Sequence, residues 1–187
     1  MVRDIRFHLK LATLSCVVVG VGAVPQAQAQ AFDPVIQLSS LDGNNGFRLD
    51  GVTAGDHSGH SVSTAGDVNG DDIDDLLIGA PYAGPNGQRS GSSYVVFGSS
   101  TFSSVIGLST LNGTSGFRLD GVEAWDESGT SVSTAGDVND DGFDDLLIGA
   151  PSAKQNEDGA SYVVFGSSTF SSVIGLSTLN GTSGFRL

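Results

Sequence analysis

Two acidic nonapeptides hold the side chains best suited to chemistry. Asp67-Val68-Asn69-Gly70-Asp71-Asp72-Ile73-Asp74-Asp75 has oxygen-bearing side chains at loop positions 1, 3, 5 and 9, and Asp137-Val138-Asn139-Asp140-Asp141-Gly142-Phe143-Asp144-Asp145 repeats the arrangement. Alternate residues of a tightly curled loop can point at one centre. A hard cation such as Ca²⁺ takes about six to eight oxygens, from carboxylates, amides and backbone carbonyls. The spacing therefore predicts two calcium sites. One uses the side chains of Asp67, Asn69, Asp71 and Asp75 with the carbonyl of Ile73; the other uses Asp137, Asn139, Asp141 and Asp145 with the carbonyl of Phe143. At position 7 an apolar side chain is expected to turn to the core while its carbonyl faces the ion. Position 6 favours glycine at the sharp turn. It is Gly142 in the second loop but Asp72 in the first, so the first is expected to be the weaker or more strained site.

Competing chemistries fit less well. Mg²⁺ demands regular octahedral geometry and keeps its waters, while zinc and copper want thiolate or imidazole ligands that are missing here. An isolated Asp-x-Asn-x-Asp is a common turn sequence, but two copies with all four positions intact favour an ion. An EF-hand would need flanking helices and an acidic residue at position 12. Here the flanks are SVSTAG and LLIGAP, and position 12 is Ile78 or Ile148. The ion is hence expected to be structural, closing a turn between two strands. His57 and His60 are spaced H-x-x-H, but their counterparts in the second repeat are Glu127 and Thr130, which reads as surface histidines. No serine sits in a G-x-S-x-G elbow beside a base. With no catalytic residue to name, the chain is not expected to be an enzyme. Asn112 and Asn180 open N-G-T sequons, which matter only in a host that glycosylates them. Trp125, the sole tryptophan, stands where the first repeat has Gly55, and suits either a partner contact or a packed loop anchor.

The elements that position these loops repeat with them. FRLDGV begins at Phe47 and Phe117, and FRL returns at Phe185. SVSTAGDVN recurs at Ser61 and Ser131, DDLLIGAP at Asp74 and Asp144, and YVVFGSSTFSSVIGLSTLNGTSGFRL at Tyr94 and Tyr162. The units run 32–101 and 102–169, with a third begun at 170–187. Phe47–Leu49, Ser61–Ala65, Leu76–Ile78 and Tyr94–Phe97 read as short strands bounded by Gly or Pro, and Val105–Leu111 suits a further strand or an ordered loop. No helical period is sustained. The chain is all-β, and four short strands per unit is what a β-propeller blade needs. A β-solenoid is the rival, but its repeats are much shorter.

Residues 1–31 read as a signal peptide, with Arg3, Arg6 and Lys10, an apolar run Leu11–Val24, and cleavage before Gln30 or before Phe32. That run is shorter than the ~20 residues needed to cross a bilayer, so no transmembrane span is expected. Cys16 does not fit a lipidation signal. It is the only cysteine and leaves with the peptide, so a secreted or cell-surface protein without disulfides is expected. A formal net charge of −13 disfavours nucleic acid and anionic membrane as partners.

These residues together closely resemble FG-GAP repeats. Gly79-Ala80-Pro81 and Gly149-Ala150-Pro151 match the GAP, and Phe97-Gly98 and Phe165-Gly166 match the FG. Such repeats form the blades of the integrin α-chain propeller and of many bacterial surface proteins. In that family the D-x-[DN]-x-D-x-x-x-D loop binds calcium, which the resemblance carries onto Asp67, Asn69, Asp71, Asp75 and Asp137, Asn139, Asp141, Asp145. It implies adhesion or recognition of a protein or glycan. The repeats differ most at loops 53–60, 82–92, 123–130 and 152–160, which are expected to share the end of the blades opposite the metal and to form the binding surface. Two blades and the start of a third make an incomplete propeller, since closure takes about four to eight; further blades in a longer chain are expected. The alternative is the propeller of a larger secreted hydrolase or lyase of phospholipase type.

Overall fold

The computed structural model describes residues 35–153 and 158–187; the predicted signal peptide lies outside them. Eleven strands, β1 (Arg48–Asp50), β2 (Ser61–Gly66), β3 (Asp75–Ala80), β4 (Ser92–Val96), β5 (Val105–Gly107), β6 (Gly116–Asp120), β7 (Ser131–Gly136), β8 (Asp145–Ala150), β9 (Ala160–Val164), β10 (Val173–Gly175) and β11 (Gly184–Arg186), are joined by turns and three short 3₁₀ segments. The first sheet has the order β10-β6-β4-β3-β2, the second β11-β9-β8-β7, and β1 pairs with β5 alone. Within each main sheet the successive pairings are antiparallel, with one exception: β10 lies parallel to β6, as β5 does to β1. The chain is thus all-β, built of propeller blades. The segment Val105–Leu111 is both of the things its sequence allowed, a strand (β5) running into a 3₁₀ turn at Leu108–Thr110.

The strands are apolar on both faces because both faces of the first sheet are covered. Leu77, Val95, Phe117 and Leu119 point to the side where the second sheet stands, and pack with its Leu146, Ile148, Tyr162 and Val164. Ile78, Tyr94 and Val96 point the other way, to Leu49, Ile106 and Leu108 around β1 and β5. Phe117 stacks on Phe170 at 4.2 Å between centroids, and Phe47 on Phe102 at 4.3 Å, the same contact one repeat earlier. The first strand of each blade ends in a register shift, between Thr64 and Gly66 and between Thr134 and Gly136. Gly66 (φ +73°) and Gly136 (φ +68°) there turn the chain into the acidic loops.

The sheets are offset from the sequence units. The strand expected to complete the first blade, Phe47–Leu49, instead forms β1 outside that sheet, and the edge of β4 is taken by β6 from the following unit. Likewise β11, within the segment 170–187 read as the start of a third blade, is the outer strand of the second sheet. The reason is chain direction. After β4 the polypeptide crosses to the preceding outer strand, lays β5 beside it, and only then returns antiparallel to β4.

The two copies of the GAP glycine stand in different surroundings. A Cβ on Gly79 would strike the Gly129 carbonyl oxygen and Ser61 Oγ at the contact between blades, whereas on Gly149 it would meet only the mobile end of the Ser131 side chain. Gly79→Ala is therefore expected to cost about 1–3 kcal/mol by overpacking, and Gly149→Ala markedly less, in denaturant unfolding of the two variants side by side.

Candidate metal centre

Both acidic loops connect the first two strands of a blade, β2 to β3 and β7 to β8, and fold alike around their first aspartate. Asp67 Oδ1 accepts from the N–H of Gly70 (2.7 Å) and Asp71 (3.1 Å), and Oδ2 from that of Asp72 (2.8 Å). Asn69 Oδ1 accepts from the Asp71 N–H at 2.9 Å, and its amide donates to Asp71 Oδ2 at 3.1 Å, while Asp71 Oδ1 accepts from the Ile73 N–H at 3.0 Å. Asp137, Asn139, Asp141 and Phe143 repeat these bonds, except the one that Gly70 N–H makes to Asp67. Positions 1, 3 and 5 are thereby gathered on one side of each loop. The N–H of Gly142 holds the Asp137 carboxyl below the usual carboxylate range.

Asp75 and Asp145, at position 9, differ from the rest in being wholly buried. Asp75 Oδ2 accepts from the Val68 N–H inside the loop (3.1 Å) and Oδ1 from the Gly98 N–H (2.7 Å). Asp145 does the same with Val138 and Gly166, each at 2.9 Å. One carboxylate thus ties the acidic loop to the FG turn that ends the third strand. Burial pushes the Asp75 carboxyl up to about 6; the two N–H donors oppose this, and the charges of Asp71 and Asp67 add to it. Among the described residues no three Asp, Glu, His or Cys side chains converge closely enough to hold an ion as they stand. The carboxylates are turned onto hydrogen-bond donors; Asp67 Oδ1 already accepts two, whereas each oxygen of Asp71 and Asp75 accepts one and keeps a lone pair for a further partner. The donor set is all oxygen, with a desolvated carboxylate at its base, and its chemistry fits a hard cation.

Backbone strain is shared differently from the sequence expectation. Positions 4 and 6 both take positive φ: Gly70 (+77°) and Asp72 (+65°) in the first loop, Asp140 (+60°) and Gly142 (+90°) in the second. Each loop carries one glycine and one strained aspartate, so the first is not singled out as the strained one. Nor can Gly70 be exchanged freely, since a Cβ there would lie 2.6 Å from Phe143 Cε1. The position-7 side chains also part company: Phe143 packs on Gly70 of the neighbouring blade, whereas Ile73 is 39 % exposed rather than turned to the core.

Sequence reasoning missed Asp144. Its Oδ2 accepts from the Asp67 N–H at 2.9 Å, and its own N–H donates to the Asp67 carbonyl at 3.0 Å, locking the second loop to the first. The doublet Asp144-Asp145 was the available signal, one carboxylate for its own loop and one for its neighbour's.

At the other end of the blades, loops 53–60, 82–92 and 123–130 come together. Tyr82 N–H donates to Asp56 O, Trp125 N–H to Gln88 O, and Glu127 N–H to Arg89 O. The Arg89 guanidinium lies 4.1 Å from the Tyr82 ring centroid and 5.5 Å from that of Trp125, with Glu127 at 3.4 Å. The His57 ring lies tilted against Tyr82, 4.4 Å between centroids, and like His60 it is exposed. His57, Arg89, Trp125 and Glu127 all have positive φ. Part of the fourth variable loop, 154–157, lies outside the described residues.

A family model described as FG-GAP repeat matches residues 58–96 and 128–164, two segments that each enclose one acidic loop. The chain thus carries two FG-GAP repeats. It is similar to integrin α chains: 35 % identical to Integrin alpha pat-2 of Caenorhabditis elegans over 60 % of this chain, 34 % to Integrin alpha-PS2 of Drosophila melanogaster over 66 %, and 28 % to Integrin alpha-V of Gallus gallus over 80 %. Those matches span 10 %, 9 % and 14 % of the relatives' own lengths. Among the described residues no helix is long and apolar enough to cross a membrane.

The bonding of Asp75 separates its structural task from any metal. In Asp75→Asn one amide N–H₂ must face the Gly98 or Val68 N–H, leaving buried donors opposed. A loss of about 1–3 kcal/mol is expected in denaturant unfolding carried out in chelator.

Proposed function

We propose that this FG-GAP chain is an exported, non-enzymatic recognition module. Its acidic loops bind structural calcium, and it meets a protein or glycan partner through the loops at the opposite end. The observation that carries the recognition reading is Trp125. It is 51 % exposed and held at φ +74°, where the first blade has Gly55 at +94°. A non-glycine residue in that region costs about 1–3 kcal/mol, a cost that persists where surrounding structure enforces it and that clusters at binding sites. Around Trp125 stand Arg89, Tyr82 and His57, a set of rigid aromatic and guanidinium groups of the type that dominates recognition surfaces. The similarity to integrin α chains supports adhesion as the setting, and supports action at or beyond the cell surface.

Calcium is supported by the oxygen-only donor set at Asp67, Asn69, Asp71 and Asp75 and its repeat at Asp137, Asn139, Asp141 and Asp145. A buried carboxylate without a compensating cation is costly, and the Asp75 carboxyl bears that cost. The ion would supply charge compensation and nothing further. The chain's own residues fix the loop, orient the donors and transmit the closure to the FG turn.

Chelator is expected to lower the melting temperature and millimolar calcium to restore it, by about 1.4 kcal/mol per site at ten times Kd. Asp67→Ala and Asp137→Ala should cost alike, given equal backbone strain. Melting curves that coincide in chelator and in calcium would exclude the sites. For recognition, the chain is applied to immobilised panels of extracellular proteins and of glycans. Any ligand found should lose at least ten-fold in affinity with Trp125→Ala or Arg89→Ala and be unaffected by Asn139→Ala once calcium is saturating. Binding indifferent to both loop substitutions would place the contact elsewhere.

A further inference from the structure

The two acidic loops touch across the blade contact, and they do so through residues that would set each other's donors. Asp144 stands at position 8 of the second loop, between Phe143, whose carbonyl is the expected position-7 donor, and the buried Asp145 at position 9. Asp144 Oδ2 accepts from the Asp67 N–H at 2.9 Å, and its own N–H donates to the Asp67 carbonyl at 3.0 Å. Position 1 of the first loop is thus gripped on both sides of its backbone. A Cβ on Gly66, the residue before it, would strike the Asp144 carboxylate, and one on Gly70, at position 4, would strike the Phe143 ring. Backbones this close leave little room for one loop to shift alone.

A second route joins the two buried carboxylates. Asp145 Oδ1 accepts from the Gly166 N–H at 2.9 Å, and the next residue, Ser167, donates its N–H to the Val68 carbonyl at 2.9 Å. The Val68 N–H in turn donates to Asp75 Oδ2 at 3.1 Å. Position 9 of the second loop is thereby connected to position 9 of the first through the FG turn and one residue. Val68 is wholly buried, so its two bonds have no water to replace them.

We propose, resting on the calcium reading of both loops, that they bind calcium with positive cooperativity and that Asp144 is a positioning residue carrying much of the coupling. Occupancy of the second loop would fix Phe143, Asp144 and Asp145, and with them the backbone of Asp67 and Val68. Part of the ordering entropy of the first loop is then already lost, and binding there is tighter by that amount. Linkage makes the gain reciprocal: the first loop, once occupied, tightens the second by the same factor. Charge opposes this, since a cation in one loop lowers the negative potential at the other. Each nonapeptide holds five aspartates, however, so a loop with a divalent cation stays net negative. Salt also screens exposed charges over about 10 Å, whereas the bonds at Asp67 and Val68 act by contact.

The test is calorimetric titration of the chelator-stripped full chain with calcium, on the wild type and on two variants that each keep one loop. Asp137→Ala leaves only the first loop and Asp67→Ala only the second; both spare the backbone bonds at the blade contact, and circular dichroism checks their fold. For independent loops the wild-type overall binding constant equals the product of the two single-loop constants. It should instead exceed that product by about five-fold or more. Asp144→Ala, introduced into all three chains, should cut the excess by about three-fold or more. Asp144→Asn keeps an acceptor for the Asp67 N–H and should restore most of it. A merely structural role for Asp144 would lower stability and leave the excess as it was. A wild-type constant equal to the product, or an excess that Asp144→Ala leaves unchanged, overturns the proposal while calcium binding stands. Chains that take up no calcium at all overturn the calcium reading and the coupling together.

Discussion

A carboxylate placed where water cannot reach it organises each blade. Asp75 and Asp145 are fully buried, and a buried charge costs several kcal/mol unless something answers it. Here the answer comes from two backbone N–H groups far apart in sequence, one in the acidic loop and one at the FG turn. The loop cannot open, and the third strand cannot slip, without stranding that oxygen pair. The remaining carboxylates of the loop are free to be the exposed, adjustable part of the site because this one is not.

Much of this arrangement was legible in the residues, because the repeat states each requirement twice. The positions of Asp67, Asn69, Asp71 and Asp75, the strand identity of SVSTAG and LLIGAP, and the grouping of the variable loops away from the acidic ones follow from spacing and strand alternation. What escaped was whatever depends on a neighbour. Asp144 shows its task only when the first blade's loop is set beside it, and Ile73 stays exposed where Phe143 has Gly70 of the neighbouring blade to pack on. The outer strand was assigned to the wrong sheet for a similar reason. Periodicity fixes the length of a unit but not the point at which the chain passes from one sheet to the next.

The two ends of the blades obey different rules. At the acidic end, chemistry allows little variation, and even the swap of Gly70-Asp71-Asp72 for Asp140-Asp141-Gly142 conserves the number of strained residues. At the other end, among the described residues, four non-glycine residues accept left-handed backbone, and the residues that do so differ between the repeats, as Gly55 and Trp125 do. Rigidity at one end is what lets the other diverge, since the loops there hang from strands whose register is already secured.

The displacement of the sheet boundary from the sequence period bears on how such a gene can grow. Because the last strand of each sheet is delivered by the next unit, a tandem copy of the period adds one whole sheet wherever within it the copied stretch begins. No breakpoint has to coincide with a loop. Residues 94–119 and 162–187 are identical across 26 positions in each copy, which is what recent lengthening by this route leaves behind. Because β6 closes the first sheet and β11 the second, each added period brings the outer strand of the sheet before it together with the start of its own.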